Sequence, residues 1–145
     1  MPQLVQSWQF WAIIAAIFAA LTAIFAKLGV QDIDSDYATF IRTLVVIALL
    51  AAILTIGDKW RNPTEIPGRA WLFLVLSGLA TGASWFAYFR ALKLGDAARV
   101  APLDKLSIVL VAIFGVIFLG ERLSAVNWLG VVLIACGALL LAVKI

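Results

Sequence analysis

The chain has 145 residues and a mass of 15.7 kDa; 65% of it is apolar, 13% is charged, and its mean hydropathy is +1.10. Soluble chains average about 45–50% apolar and about 25% charged residues, and a body this small has too little interior to hide so much apolar surface from water, so an ordinary soluble domain is excluded. The net charge of +3 comes from 11 basic and 8 acidic residues, the basic ones scattered among the loops, which excludes the basic run of a nucleic-acid binder and leaves the lipid bilayer as the solvent.

Residues 8–26, 70–89 and 125–143 carry no Asp, Glu, Lys or Arg, residues 37–57 carry only Arg42, and residues 100–119 carry only Asp104 and Lys105. A helix rising 1.5 Å per residue needs about 20 apolar residues to cross a hydrocarbon core of roughly 30 Å. Five membrane spans are therefore predicted, at about 8–26, 37–57, 70–94, 96–119 and 125–143. The fold class is an all-α integral membrane protein, one five-helix transmembrane domain over residues 1–145 with nothing left for a soluble domain.

Span one is preceded by Met-Pro-Gln-Leu-Val-Gln-Ser without Lys or Arg, so it lacks the basic start of a secretory signal and is expected to be retained. Trp8, Trp11 and Lys27 frame it, and Ala15, Ala19 and Ala23 recur every fourth residue, a spacing that admits close helix contact. The turn Gln31–Asp36 offers side chains that cap span two and acidic charge that suits its positive dipole end. The loop Asp58–Arg69 contains Pro63, Pro67 and Gly68, which stop and restart helices, and Trp60, an interface anchor. Span three is expected to run past Phe89 to Leu94, with Arg90 and Lys93 reaching toward headgroups until Gly95 caps it. Asp96 is expected to cap span four, Pro102 to loosen it, Gly120-Glu121-Arg122 to close it, and Ser124 to cap span five.

Several chemistries are excluded by what is missing. There is no His, and the one cysteine, Cys136, sits inside span five, so neither a disulfide within the chain nor a cysteine metal cluster can form. Phosphate-loop, nucleophile-elbow and zinc-protease patterns are absent, and Asp104 and Glu121 differ too much in depth for paired-carboxylate chemistry. No metal or cofactor is expected, and an enzyme is the least favoured class.

Function is sought among residues the bilayer penalises, because ionisable groups within a span usually face a bundle interior or a water-filled path. Arg42, Asp104 and Lys105 are the three here. Arg42 and Asp104 lie roughly 8 and 6 Å inside spans that start on the same side, so an intramembrane ion pair is expected, with Lys105 about 100° further round its helix. The plainer reading is that all three snorkel to the interface as topology anchors. On span three, Ser77, Thr81, Ser84 and Tyr88 follow i, i+4, i+7, i+11 and form one polar stripe. The adjoining face carries Gly78, Gly82, Trp85 and Phe89, and Gly78-x-x-x-Gly82 is a helix-packing spacing. The plainer reading there is that the hydroxyls bond back to their own helix and the glycines only pack. Thr39 and Thr43 extend the polar surface around Arg42.

Four stretches carry a family resemblance: Ala38–Thr43, Leu76–Asp96, Val100–Ser107 and Phe118–Leu123. Together they resemble the EamA-type branch of the drug/metabolite transporter superfamily, and specifically its short single-repeat bacterial members. The resemblance implies a carrier of small metabolites, amino acids or drugs in the bacterial inner membrane, with five helices forming half of a ten-helix inverted-repeat fold. An odd number of spans makes a tandem copy insert upside down, so a single copy gains that symmetry only by pairing. An antiparallel homodimer is therefore expected. Basic residues on the two faces number 4 (Lys59, Arg61, Arg69, Arg122) and 5 (Lys27, Arg90, Lys93, Arg99, Lys144), or 7 on the second face with Arg42 and Lys105. The first balance permits dual insertion, and the second favours one orientation.

The expected mechanism is alternating access, with Arg42, Asp104 and Lys105 as gates and Ser77, Thr81, Ser84, Trp85 and Tyr88 lining the path of an anionic or zwitterionic small molecule. The rivals are a non-transporting membrane subunit packed on a larger partner, and a lipid flippase.

Overall fold

The computed structural model describes residues 7–143. Lys144 and the first six residues, including the segment ahead of span one, lie outside the described residues. Within them the elements are α1 (Trp8–Gly29), α2 (Ser35–Ile56), a 3-10 turn (Pro63–Glu65), α3 (Gly68–Leu94), α4 (Ala97–Asp104), α5 (Ser107–Leu119) and α6 (Ala125–Ala142). Among the described residues there is no strand, and five helical stretches are long and apolar enough to cross a membrane, the stretch Ala97–Leu119 counting as one. The large apolar side chains point outward along every one of them, including Phe18, Phe25, Leu44, Phe73, Leu79, Val111, Phe118, Leu133 and Leu140. Such a surface is stable only in lipid, where helices satisfy their own backbone groups. Among the described residues the buried apolar side chains are few: Ala23, Ala26, Val30, Ala38, Phe89, Leu92 and Ala138.

Local chemistry sets the helix ends. Ser7 Oγ accepts the amide of Phe10 at 3.3 Å and starts α1. Asp34 caps α2, its Oδ1 accepting from the amides of Asp36 at 2.9 Å and Tyr37 at 3.2 Å. After Gly57 the chain turns through Asp58, whose φ of 49° is the left-handed conformation that Asp tolerates better than most residues. Asn62 caps the short turn through Thr64 N, and the carbonyl of Pro67 receives the first amides of α3 from Ala70 and Trp71. Ser124 and Asn127 cap α6 reciprocally: Ser124 Oγ accepts from Asn127 N at 3.2 Å and donates to Asn127 Oδ1 at 2.9 Å.

The chain forms two compact units, one running through Lys27 and again from Leu94 onward, the other comprising Leu28–Lys93. In the first, α6 packs along α4 and less extensively against α5, and Lys27 Nζ donates to the carbonyl of Gly95 at 2.9 Å. Gly95 thus serves as an acceptor; among the described glycines the left-handed conformation belongs to Gly120, at φ 70°. There α5 ends with the amides of Gly120 and Glu121 turned onto the carbonyl of Gly115.

The expectation that Asp96 caps the next helix is half met. It occupies the N-cap position, but its carboxylate makes no cap bond and lies 3.9 Å from Arg99 Nε instead. The span expected over 96–119 corresponds to one membrane-crossing stretch, Ala97–Leu119, with an interruption inside it. Pro102 offers no amide to the ladder, and from Lys105 to Val109 the amides of Lys105, Leu106, Ile108 and Val109 bond three residues back instead of four. This tightened turn in mid-span separates α4 from α5.

In the second unit α2 and α3 are antiparallel neighbours. Successive contacts join Ile33 to Lys93, Asp36 to Arg90 and Arg42 to Trp85, so that position rises on one helix as it falls on the other. A forked bond holds one end, with Arg90 Nε and Nη2 donating to Asp36 Oδ1 and Oδ2 at 3.2 and 3.0 Å. Lys93 Nζ donates to the carbonyl of Ile33 at 2.6 Å beside it.

Candidate functional site

Away from that clamp, α2 and α3 flank an open groove of about 390 Å³. Thr43 and Val46 line it from α2, and Leu74, Ser77, Gly78, Thr81, Gly82 and Trp85 line it from α3. Gly78 and Gly82 face open space: a Cβ added at either would meet no atom within 4 Å. At 100° per residue, the groove face of α3 is centred roughly 60° round from the polar stripe read in the sequence. Ser77 and Thr81 line one side of it as Gly78 and Gly82 line the other, while Ser84 and Tyr88 are not part of its lining. Ser84 is exposed, and the half-buried Tyr88 ring meets Phe89 edge-on at 6.5 Å.

Arg42 is not part of this lining and meets it through Trp85. Its guanidinium lies 4.0 Å from the centre of the Trp85 ring and 5.5 Å from that of Phe89. Within this unit no carboxylate comes within 4.0 Å of it. The ring faces supply what a weakly hydrated, delocalised cation can accept in an apolar setting. Asp104 belongs to the other unit. There its Oδ2 pairs with Lys105 Nζ at 3.1 Å, a contact that the 100° separation of a continuous helix would oppose and the broken turn allows. The ion pair expected between Arg42 and Asp104 thus joins residues of different units, and each has its own partner within its unit.

The hydroxyls follow the plainer reading in part. Thr39, Thr43 and Thr81 each donate to the carbonyl four residues back, at 2.8 Å. Their protons are committed to the helix, while the oxygen lone pairs of Thr43 and Thr81 stay able to accept from a groove occupant. Of the alanine ladder, Ala23 is buried and Ala15 and Ala19 are exposed. Among the described residues no three His, Cys, Asp or Glu gather where a metal ion could sit. The Asp36–Arg90 fork went unread in the sequence, although both residues end consecutive spans on the same membrane face, a signal that could have found it.

Comparison with known proteins places these features in a family. A Sinorhizobium sp. protein, an uncharacterized transporter in the cobO 3' region, is 72% identical over 138 residues, covering 95% of this chain and 98% of that protein. An uncharacterized transporter of Vibrio cholerae is 27% identical over 136 residues, 92% of this chain but 42% of that protein. The uncharacterized transporter YxxF of Bacillus subtilis is 24% identical over 145 residues, 99% of this chain and 45% of that protein. The chain therefore spans less than half the length of these two relatives. No solved structure matches it. The family model of the EamA-like transporters matches residues 6–143, and with five membrane-crossing stretches the chain belongs to the EamA-like transporter family.

Proposed function

We propose that this chain is a carrier of small metabolites or drugs in the bacterial inner membrane, working by alternating access as an antiparallel homodimer. The observation that carries the reading is the α2–α3 groove, a partly polar space of about 390 Å³ inside a hydrocarbon-spanning hairpin. The open space beside Gly78 and Gly82, where an added Cβ would meet nothing within 4 Å, leaves room for an occupant to come and go. The half-length match to two relatives supports pairing, since two copies supply what one longer chain holds. Opposite insertion of the copies gives the inverted symmetry on which alternating access rests. Each unit brings intramembrane charge: Arg42 beside the groove in one, and Asp104 with Lys105 at the α4–α5 turn in the other. In this reading the tightened turn at Lys105–Val109 is the flexing point, because its three-residue bonds can relax to four. Ser77, Thr81 and Trp85 line the path, with Ser84 and Tyr88 flanking it, and the exposed Ala15 and Ala19 are available to pack on the second copy.

The test is orientation. With Cys136 replaced, one reporter cysteine is placed at Ser7 and, separately, at Val143, and intact cells are labelled with an impermeant maleimide before and after permeabilisation. Each position labelling partly from outside and fully only after permeabilisation is the expected result. A single orientation for both positions would overturn the antiparallel homodimer.

A further inference from the structure

We propose that Arg42 is the anion receptor of the groove, and that the solute it takes is a small organic carboxylate with an apolar body. The inference rests on the carrier reading and names the substrate class. Trp85 both lines the groove and supports the guanidinium face at 4.0 Å. A contact of this kind holds the cation through its charge and spends none of its five N–H donors on a carboxylate. Those donors are the part of arginine that matches a carboxylate in two parallel bonds. Within the unit no carboxylate competes for them.

The rest of the groove defines the rest of the ligand. Beyond Trp85 it is walled by Val46, Leu74 and the bare backbone of Gly78 and Gly82, surfaces that favour an uncharged, apolar body. Thr43 and Thr81 have given their protons to helix carbonyls and so can accept from a hydroxyl or amine on that body while donating nothing to the carboxylate. Ser77 is the groove hydroxyl whose proton no helix carbonyl takes, so it can add one neutral bond, while the charge that an anion seeks is supplied by Arg42. A cationic amine without a carboxylate meets repulsion there, and a neutral solute gains only the apolar wall.

The probe is cyclohexanecarboxylate, compared with its neutral amide and with cyclohexylmethylamine. Binding to the full chain in lipid nanodiscs is followed by tryptophan fluorescence, with Trp85→Phe assigning the signal. The expected result is that the carboxylate binds at least tenfold more tightly than the amide, and the amine more weakly still. Arg42→Gln should bring carboxylate and amide to equal affinity, and Arg42→Lys should keep part of the preference, since it keeps the charge but loses the fork. The ratio of carboxylate to amide is the readout, because mere structural damage lowers both together. Equal binding of carboxylate and amide to the unaltered protein, or an unchanged ratio in Arg42→Gln, would overturn the proposal. Counterflow of the same probes in proteoliposomes separates the two levels: carboxylate-selective binding without flux refutes the carrier reading alone, and flux indifferent to Arg42→Gln refutes the receptor alone.

Discussion

Removing the Trp85 ring should weaken the hairpin through Arg42, and a double-mutant cycle can isolate that effect. The guanidinium sits 4.0 Å from the Trp85 centre against 5.5 Å from that of Phe89, so Trp85 carries most of the attraction. A cation over an aromatic face contributes about 0.5–1 kcal/mol at exposed sites and about 2 kcal/mol when desolvated. Arg42 is half-buried within a membrane span, which places the expected coupling near the upper part of that range, about 1–2 kcal/mol. The cycle comprises Arg42→Met, Trp85→Leu and the double variant, each unfolded reversibly in mixed micelles with increasing denaturing detergent. Arg42→Met removes charge while keeping an apolar stem, and Trp85→Leu keeps apolar volume without the ring, so the non-additive part reports the stacking. A coupling below about 0.3 kcal/mol, the usual error of additivity, would refute the stacking as an energetic contact.

Three further outcomes follow from the helix ends and the break. Asp34→Ala removes the acceptor of two amides at the start of α2 and should cost about 1 kcal/mol in the same unfolding assay, with Asp34→Asn losing much less. Gly120→Ala forces a Cβ into a φ of 70° and should cost about 1–2 kcal/mol, whereas Gly120→Asn should be milder. Pro102→Ala restores an amide to the ladder, so hydrogen exchange at residues 105–109 should slow as the three-residue bonds revert to four; unchanged exchange would show that proline is not the cause of the break.

The sequence and the structure agree where the determinants are local. Charge-free stretches mark the spans because the bilayer penalises each charged side chain individually, and Asp34, Gly120 and Ser124 mark ends because a cap needs only its own neighbours. Pro102 was legible as a weak point, but not the full consequence: losing one amide shifts the following bonds and brings Lys105 onto Asp104. What the sequence could not show was which helix face meets which. A span apolar on all sides has no stripe pointing inward, so the sequence gives Arg42 a depth but does not show the ring of Trp85 that stands against it. The groove was half legible for the same reason. The hydroxyl stripe and the glycine pair are both legible on α3, yet only packing shows that Ser77 and Thr81 share one groove with Gly78 and Gly82 while Ser84 and Tyr88 stay out of it.

The central claim is that the α2–α3 groove is a water-filled solute path within the membrane, and cysteine accessibility tests it without knowledge of the substrate. In a Cys136→Ser background, single cysteines replace Thr43, Ser77 and Thr81 on the groove and Phe73 and Leu79 on the outward surface. Reaction with a small charged thiosulfonate in native membranes is then timed. The account predicts that the three groove positions react and that Phe73 and Leu79, facing lipid, do not. Unreactive groove positions, or equal reactivity at all five, would contradict it.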